Sequence, residues 1–579
     1  MTADHMAEVL RNIALFLELK GENPFKIRAY KTGAEVVETF SGDIVARAAA
    51  NELEGIKGIG DALQQKLQEL ATTGKLEFYE KLKAEFPEHI MELFHVQGLG
   101  PKKIIALYQQ LGVGSLADLK RVCEDGSAAQ LSGFGEKTVA KLLESLAFHA
   151  SHAHEFRQEQ VAPLVEQITA MLQDHPNVSR VSAAGSWRRG KETVHDLDFL
   201  VATKKPAPVM EAFTTMPSVK QVLGQGETKS SVLLENGVQC DLRAVTLEEF
   251  PCALVYFTGS KEHNVALRQR ALARGYSLNE YALTPTKPGV DTIECHDEAD
   301  VYRALELDYI EPEMRENTGE IELSAKGHLP KLIELANLRG TFHNHTTASD
   351  GGASLREMAD AAHELGLQYL GIADHSKSSF QANGLNEERL RKQIASIRKL
   401  NEEYESEGFK IFAGSEVDIL KDGSLDFDDG LLGELDYVVA SVHNIFTLSE
   451  ADMTKRIIKA IENPHVTMLG HLTGRLLLQR PSYAVNVPAI IDAAAATGTI
   501  IELNANPWRL DMDWRWWKLA KEKGVKCSIN PDAHSTRGLE DLFFGLRIAR
   551  KGWLTRDDVV NCLPLGKIEA VLKAKRKHR

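Results

Sequence analysis

The stretch most directly concerned with chemistry is GSWRRGKETVHDLDFLV, residues 185–201, in which a glycine-containing turn precedes a short acidic strand. Side chains alternate between the two faces of a strand, so Asp196 and Asp198 share one face while Leu197 points to the other. Two carboxylates on one face can hold a pair of divalent ions for an in-line displacement. A third carboxylate is expected from Asp241 in VQCDLRAV, a second strand-like run.

The turn ahead of this strand has the groups that hold phosphate. Backbone amides, a hydroxyl and a guanidinium together suit a triphosphate tail, and they come from Gly185, Ser186, Arg189 and Gly190. A lone D-x-D pattern is more often a solvated strand end than a metal site. Its combination with the turn and with Asp241 favours a metal site.

The order G-S-x-x-R-G followed by D-x-D resembles the nucleotidyltransferase core of the family X DNA polymerases. Residues 256–283 also match that family's nucleotide-binding segment, at Tyr256, Phe257, Gly259, Asn264 and Arg268. The resemblance implies that Asp196, Asp198 and Asp241 are catalytic ligands of two Mg²⁺ ions. It implies gapped or primer–template DNA and deoxynucleoside triphosphates as substrates, with Asn264 and Arg268 in the minor groove, whose acceptors vary little with sequence.

Three glycine pairs recur in the first 150 residues, in GIKGIGDAL, VQGLGPKKI and LSGFGEKTVAKLL. A tight turn at each pair would direct the amides of the next helix at a DNA phosphate. The pairs are Gly58 and Gly60, Gly98 and Gly100, and Gly133 and Gly135. They resemble helix-hairpin-helix motifs, and three copies favour DNA binding without sequence readout.

One lysine in the first motif bears on a further activity. In the family this motif can carry a lysine that forms a Schiff base with an abasic sugar, and Lys66 matches that position. Ala62 stands where the family has a second lysine, so an ordinary surface lysine is the alternative.

A second set of metal-ligating residues begins near residue 343, and nearly every member follows an apolar strand-like run. The set is His343, His345, Asp350, His375, Glu416, His443, His471, Asp532 and His534. Strands alternating with helices predict a β/α barrel, whose functional residues lie at the carboxyl ends of its strands. A set of this size can hold two or three ions, and its imidazoles favour Mn²⁺ or Zn²⁺ over Mg²⁺.

The order of these ligands resembles the PHP (polymerase and histidinol phosphatase) domain. The resemblance implies a distorted seven-stranded barrel and phosphoesterase chemistry. In it, Asp374 is expected to support His375 and not to bind a metal ion itself. Together the two resemblances cover nearly the whole chain, and their order resembles the bacterial and archaeal PolX enzymes. In those enzymes the PHP domain supplies a manganese-dependent 3′–5′ exonuclease, and in some an abasic-site (AP) endonuclease or a 3′-phosphatase.

Composition sets limits on these interpretations. The chain has 579 residues and a formal net charge of −14, which taken alone argues against a nucleic-acid partner. Metal-binding carboxylates count as negative until ions bind, so local patches decide the matter. Six cysteines occur without a C-x-x-C pair, and no apolar run is long enough for a membrane helix. We expect a cytoplasmic, nucleoid-associated monomer.

The predicted fold is multidomain, with α-helical helix-hairpin-helix regions, an α+β nucleotidyltransferase palm and a C-terminal distorted (β/α)7 PHP barrel. The predicted domains are 1–88 (N-terminal helical), 89–149 (fingers), 150–245 (palm), 246–318 (nucleotide-selecting thumb), 319–338 (linker ending in a helix) and 339–579 (PHP). The predicted function is short-gap filling in DNA repair with an attached 3′–5′ exonuclease. The alternatives are a small-molecule phosphatase and a non-catalytic DNA-end scaffold.

Overall fold

The computed structural model of the chain describes residues 1, 3–40, 43–96, 98–152, 154–287 and 293–574. All contacts and distances given for the protein belong to these residues. Within them, no helix combines the length and the apolar character that crossing a membrane requires.

The N-terminal part of the chain is a helical body. Helices α1–α8 are Ala3–Leu19, Pro24–Thr39, Ile44–Ala49, Asp61–Thr73, Glu77–Ala84, Pro101–Leu111, Leu116–Glu124 and Glu136–Ser151. Apolar residues three and four positions apart give a helix a buried stripe. These stripes merge into one hydrophobic cluster that extends from Met6 to Leu146. Residues on both sides of position 88 therefore share a core, and a domain boundary there stays a prediction.

A five-stranded sheet carries the acidic strand. Strands β1–β7 are Phe156–Arg157, Arg180–Ala183, Thr193–Val194, Asp196–Ala202, Val219–Gln225, Lys229–Leu234 and Gln239–Val245, and helices α9–α11 are Gln158–Gln173, Gly185–Arg188 and Pro206–Thr214. The sheet order is β2-β4-β7-β6-β5, and β1 pairs separately with β3. Strand β4 runs parallel to β7, and their register sets Asp198 directly opposite Asp241.

The next segment packs on this sheet through paired charges. Helices α12–α15 are Phe250–Thr258, Lys261–Ala273, Glu298–Ala304 and Glu320–Ser324, and strands β8 and β9 are Tyr276–Leu278 and Leu283–Pro285. The buried Glu298 carboxylate accepts from Arg188 Nη2 at 2.6 Å and from Arg315 Nη1 at 2.7 Å. Since a buried charge needs a partner, these contacts hold α14 against α10.

The predicted linker, 319–338, is packed and is not a free connection. Glu320 is fully buried with its Oε1 atom 2.7 Å from His263 Nδ1, and Ile333 is fully buried as well. The helix expected at its end is wrong, because only a single 3₁₀ turn forms there, Leu335–Asn337. Distant residues take up the backbone groups that a helix would need: the Ile333 amide donates to the Leu554 carbonyl at 3.0 Å, and the Ile333 carbonyl accepts from Arg550 Nη1 at 3.0 Å.

The C-terminal domain alternates strands with helices. Strands β10–β17 are Gly340–Asn344, Tyr369–Ile372, Lys410–Ala413, Glu416–Asp418, Val439–Ser441, Met468–Leu469, Ile500–Asn504 and Cys527–Asn530. Helices α16–α23 are Leu355–Glu364, Glu387–Tyr404, Asp429–Leu432, Glu450–Ile461, Val487–Thr497, Trp514–Glu522, Leu542–Lys551 and Leu565–Ala574.

These strands are parallel and nearly close on themselves. Their orders are β10-β11-β12 and β13-β14-β15-β16-β17. A short break separates β12 from β13, so one bent segment pairs first with β11 and then with β14. The last strand returns to the first through a bridge between Asn344 and Ala533. Strand residues are almost all buried, as expected for parallel strands covered on both faces.

A substitution at Gly371 in β11 can test how tightly the residues around this strand are packed. A β-carbon there would lie 2.5 Å from both Phe342 Cδ1 and Tyr437 Oη. Gly371→Ala should therefore lower the free energy of unfolding by roughly 1–3 kcal/mol, as overpacking of a core does. Gly566→Ala is the control, since its β-carbon would meet nothing within 4 Å. Urea unfolding followed by circular dichroism measures both variants, and equal midpoints would contradict the packing described.

Candidate active sites

Strand pairing brings the three predicted aspartates side by side. Asp196 and Asp198 are half-buried on β4, and Asp241 lies opposite Asp198 on β7. Burial, followed by repulsion from the two other carboxylates, raises the pKa of Asp198 to about 7. Burial and repulsion from Asp241 likewise raise the pKa of Asp196. A divalent cation would relieve this repulsion, so the donor set fits one.

Lys229 is a neighbour of these aspartates that sequence reasoning missed. Its Nζ atom lies 2.8 Å from Asp241 Oδ2, and Gln239 Nε2 donates to Asp241 Oδ1 at 3.0 Å. Although burial alone would raise it, these hydrogen bonds lower the pKa of Asp241. Among the described residues, the groups of three or more metal-ligating atoms within 4.8 Å of one another all lie in the C-terminal domain. The aspartates are thus adjacent but less tightly gathered, with an ammonium group at Asp241.

The glycine-containing turn lies directly against the acidic strand. Gly185 has a φ of +59°, and a β-carbon there would come within 2.2 Å of Asp198 Oδ2. Only glycine permits so close an approach. The Ser186 hydroxyl is buried and has no hydrogen-bond partner within the described part of the chain. A buried hydroxyl without a partner is suited to a ligand oxygen.

Two contacts hold the Arg189 side chain beside this turn. Its Nη1 atom donates to the Thr258 carbonyl at 2.5 Å, and its Nε atom donates to Glu316 Oε1 at 3.1 Å. Gly259 leaves room for the guanidinium, because a β-carbon there would lie 3.1 Å from Arg189 Nη1. Gly190 follows with a φ of +66°. The structure therefore brings the predicted Arg189 and Gly259 together.

The other predicted nucleotide-site residues lie on α12 and α13. The Tyr256 and Phe257 rings pack edge to face with centroids 5.1 Å apart. Asn264 Nδ2 donates to the Tyr256 carbonyl at 2.7 Å. The Arg268 guanidinium lies 5.9 Å from the centre of the Tyr256 ring. Tyr256, Asn264 and Arg268 are therefore one contiguous group.

The nine residues predicted in the C-terminal domain form one connected group near the carboxyl ends of the strands. Three overlapping sets have ligand atoms within 4.8 Å of one another: His345, Asp350, His375 and His534; His343, His345 and Asp532; and His375, Glu416 and His443. His471 joins them through Nε2, which lies 2.9 Å from Glu416 Oε1. Most of these residues lie within a few residues of the carboxyl end of a strand, which is where a β/α domain gathers functional groups.

Glu416 is the centre of this group. Its oxygens lie 2.9 Å from His375 Nδ1 and 3.0 Å from His443 Nε2. Burial would raise the pKa of Glu416, but the surrounding imidazoles hold it well below its ordinary range. Burial lowers the pKa of both histidines, but paired carboxylates more than offset it: Glu416 with Asp350 raises the pKa of His375 to about 11, and Glu416 with Asp418 raises that of His443 to about 9.

His345 shows that the donor set fits a metal. Its Nδ1 atom is buried, lacks a hydrogen-bond partner among the described residues and lies 3.8 Å from Asp350 Oδ1. Burial, together with His534 and His375, lowers the pKa of His345 to about 4. The neutral ring is the form that binds metal ions; His345 is in this form at pH 7, whereas His375 and His443 would lose their protons when an ion binds. Neutral imidazole beside carboxylates suits Mn²⁺ or Zn²⁺.

Two acidic residues that sequence reasoning missed orient these histidines. Glu502 Oε2 lies 2.6 Å from His343 Nδ1, and Asp418 Oδ1 lies 3.1 Å from His443 Nδ1. Each contact turns the Nε2 atom of its histidine toward Glu416. The available signal was a charged residue inside an apolar strand, as in IIELN.

Asp374 has a different role from the one predicted. Its carboxylate accepts from the Thr346 amide at 2.8 Å, the Thr346 hydroxyl at 2.7 Å and the Ser349 amide at 3.3 Å. In the described part of the chain, no hydrogen bond joins it to His375. Neighbouring side chains in extended backbone point to opposite sides, so Asp374 faces the loop that carries Asp350 and not the adjacent histidine.

Four family models match separate parts of the chain. They are a helix-hairpin-helix domain over residues 1–76, a SAM-like helix-hairpin-helix tandem over 90–147, a DNA polymerase beta thumb over 253–316 and a PHP domain over 341–506. Their order along the chain agrees with the order of resemblances found in the sequence.

Three relatives extend the comparison. The DNA polymerase/3'-5' exonuclease PolX of Bacillus subtilis (strain 168) is 39% identical over 573 residues, which cover 98% of each chain. A probable phosphatase of Thermoanaerobacter sp. (strain X514) is 31% identical over 246 residues, which are 41% of this chain and 94% of that protein. DNA polymerase lambda of Rattus norvegicus is 25% identical over 342 residues, which are 54% of this chain and 56% of the relative.

Glu502→Gln tests whether the buried carboxylate behind His343 supports a metal site. A neutral amide polarises and orients the imidazole less, so Mn²⁺ affinity should fall about 10–100-fold. Isothermal titration with Mn²⁺ measures this, with Glu434→Gln as the control, because that carboxylate pairs with Arg391 at the surface. Wild-type Mn²⁺ affinity in a folded Glu502→Gln protein would contradict the role.

Proposed function

This chain belongs to the PolX family of DNA polymerases, and we propose that it extends DNA at the paired aspartates and trims 3′ ends at the C-terminal cluster. The family resemblance expected from the sequence is confirmed by similarity across 98% of both chains. The protein is accordingly a DNA polymerase and a 3′–5′ exonuclease. The observation that carries the polymerase site is the β4–β7 register, which places Asp198 opposite Asp241 beside the Gly185 turn.

At the polymerase site, Asp196 and Asp198 would hold both Mg²⁺ ions, and Asp241 would hold the catalytic one. The ions, when bound, orient the triphosphate and neutralise charge that develops during phosphoryl transfer. Asp241 accepts the proton of the primer 3′ hydroxyl. The β and γ phosphates are held by Gly185, Ser186, Arg189 and Gly190.

In this proposal, helices α12 and α13 align the substrates. Tyr256, Phe257, Asn264 and Arg268 lie against the new base pair, and the last two contact its minor groove without selecting a base. The substrates are deoxynucleoside triphosphates and gapped or primer–template DNA. Short-gap filling in repair, a monomeric state and nucleoid association stay predictions.

The strand pairing supports the finer fold assignments of this proposal. We assign the palm to the five-stranded sheet and the nucleotide-selecting subdomain to residues 246–318. We count the bent β12–β13 segment as one strand of the barrel. The eight C-terminal strands then make a distorted (β/α)7 barrel, in which the seventh strand closes against the first.

At the barrel site, the nine clustered residues hold two or three ions, with Mn²⁺ or Zn²⁺ favoured by the imidazoles. The ions, when bound, activate water and neutralise the phosphodiester. Glu502 and Asp418 fix the tautomers of His343 and His443, so that each presents Nε2 to the site.

A second activity of the same cluster is phosphate removal from 3′ ends. The 31% identical relative named as a probable phosphatase favours it. AP endonuclease activity is a further proposal. A labelled duplex carrying a 3′ phosphate, and one carrying an internal abasic site, separate the phosphatase and AP endonuclease activities by product length.

The similarity to an enzyme over 98% of the chain sets the scaffold alternative aside.

The helix-hairpin-helix turns provide the proposed grip on DNA. The first glycine of each pair has a positive φ: +95° at Gly58, +89° at Gly98 and +86° at Gly133. The second glycine precedes helix α4, α6 or α8 and has a negative φ: −89° at Gly60, −99° at Gly100 and −55° at Gly135. The left-handed conformation is therefore confined to the first glycine of each pair, and the second, which has no side chain, leaves the helix amides accessible.

Lys66 stays a proposed Schiff-base residue. It is half-buried on α4, with Nζ 5.1 Å from the centre of the Phe78 ring and 3.3 Å from the Ala62 carbonyl, to which it donates. Borohydride trapping on DNA with an abasic 5′ end tests the assignment directly.

Two variants should separate the activities. Asp198→Ala should abolish nucleotide addition and spare the Mn²⁺-dependent exonuclease. The variant lacks a carboxylate that would hold the metal ions, and these ions stabilise the charge of the transition state by several kcal/mol. The His343→Ala/His345→Ala double variant should do the reverse. Labelled gapped duplex with and without nucleotides measures both, with Asp174→Ala and His363→Ala as controls outside the sites. An exonuclease at the wild-type rate in a folded double variant would refute the cluster assignment.

Gly98→Ala and Gly100→Ala form a matched pair for DNA binding. Alanine at the positive φ of Gly98 costs roughly 1–2 kcal/mol, so duplex affinity should fall about tenfold for any sequence. Gly100→Ala involves no such strain and should bind more nearly as wild type. Fluorescence anisotropy with two unrelated duplexes at several salt concentrations tests this, and a loss restricted to one duplex would argue against backbone binding.

A further inference from the structure

The phosphate-binding turn is packed against a helix of the C-terminal domain. Arg547 on α22 donates from Nε to Gln158 Oε1 at 2.9 Å and from Nη2 to the Trp187 carbonyl, and its guanidinium lies 4.3 Å from the centre of the Trp187 ring. A β-carbon at Gly190 would lie 3.4 Å from the Arg547 carbonyl oxygen. One helix of the barrel domain thus forms a wall of the polymerase turn.

The last residue of this helix, Lys551, reaches the turn with a charge. Its side chain is fully buried, and Nζ donates to the Arg189 carbonyl at 3.0 Å and to Glu316 Oε1 at 2.5 Å. Burying an ammonium group is costly, and an apolar side chain would fill the same space more cheaply. Burial lowers the pKa of Lys551 to about 8, against the effect of Glu316, so the group remains mostly charged at pH 7.

Glu316 is shared by three cations. Besides Lys551, its carboxylate contacts Arg189 Nε at 3.1 Å and Lys191 Nζ at 3.7 Å. With all four groups ionised, the cluster keeps an excess of positive charge beside the turn. Without Lys551, Glu316 would be divided between Arg189 and Lys191 alone, and more of the positive charge of Arg189 would be neutralised.

We propose that Lys551 of the barrel domain is a positioning residue of the polymerase site, which holds Glu316 and the Arg189 backbone so that the Arg189 guanidinium stays available to the β and γ phosphates of the incoming nucleotide. The inference rests on the proposed nucleotide site. Its consequence is that nucleotide affinity depends on a side chain from the nuclease domain.

Lys551→Met and Lys551→Gln test the charge, and Lys551→Arg restores it. Gln keeps a hydrogen-bond donor without the charge on a side chain one bond shorter, and Met fills a similar space with neither. For both uncharged variants, KM for the nucleotide on gapped DNA should rise about tenfold, as loss of a charge-assisted contact does. The kcat should stay within about twofold of wild type, because the aspartates are untouched. Lys551→Arg should return KM toward the wild-type value.

Three further measurements distinguish positioning from simple packing. The inhibition constant of pyrophosphate should rise by the same factor as KM, since pyrophosphate shares the phosphates and lacks the base and sugar. The Mn²⁺-dependent exonuclease should be unchanged. Arg550→Gln, which breaks a neighbouring contact of the same helix with Glu313, should leave KM and the pyrophosphate constant at wild-type values.

Unchanged KM and pyrophosphate inhibition in folded Lys551→Gln protein would overturn the inference. So would an equal effect of Arg550→Gln, or a parallel fall of both activities with the melting temperature, since each would mark Lys551 as a packing contact only. Failure of the proposed function looks different, because the wild-type protein itself would then add no nucleotide, or Asp198→Ala would still add it.

Discussion

Burial of charge is the constraint on which both sites depend, because an ionised group held away from water needs a partner of opposite sign. Glu416 meets this need with imidazoles, and Asp241 meets it with Lys229. Asp198 has no such partner within hydrogen-bonding distance among the described residues, and the pKa of its carboxyl is raised to about 7. A bound cation would supply the partner that Asp198 lacks.

The two sites solve the positioning problem differently. In the five-stranded sheet, all three carboxylates project from two adjacent parallel strands, so one register brings them together. In the C-terminal domain, the predicted ligands come from residues 343–534, and the strand ends must converge around a ring. Its closure between Asn344 and Ala533 places His345 next to Asp532, 3.1 Å from Nε2 to Oδ1. Pairing of the last strand segment with the first is therefore as necessary to that site as any single side chain.

Paired charges, and not an apolar seam alone, join the barrel to the polymerase part. Arg550 binds Glu313, Arg515 approaches Glu192, and the Lys551 ammonium bonds to the Arg189 carbonyl. Such contacts add little net stability after desolvation, but they admit few alternative arrangements of the two surfaces. The predicted linker belongs to the same packed body, which removes the freedom that a flexible connection would have.

Local patterns in the sequence were enough to predict the candidate metal ligands and the turns before helices, and the family resemblances supplied the reactions. Alternation along β4 placed Asp196 and Asp198 on one face, glycine pairs marked turns before helices, and apolar runs followed by histidines marked strand ends. Such features repeat over a few residues, and so they survive without knowledge of the fold. Only the tertiary structure revealed Glu502 behind His343, 159 positions away, and Lys551 at the Arg189 carbonyl, 362 positions away. It also decided that Asp374 faces its loop and that 319–338 is packed, because these depend on which distant surfaces meet, and no local periodicity records that.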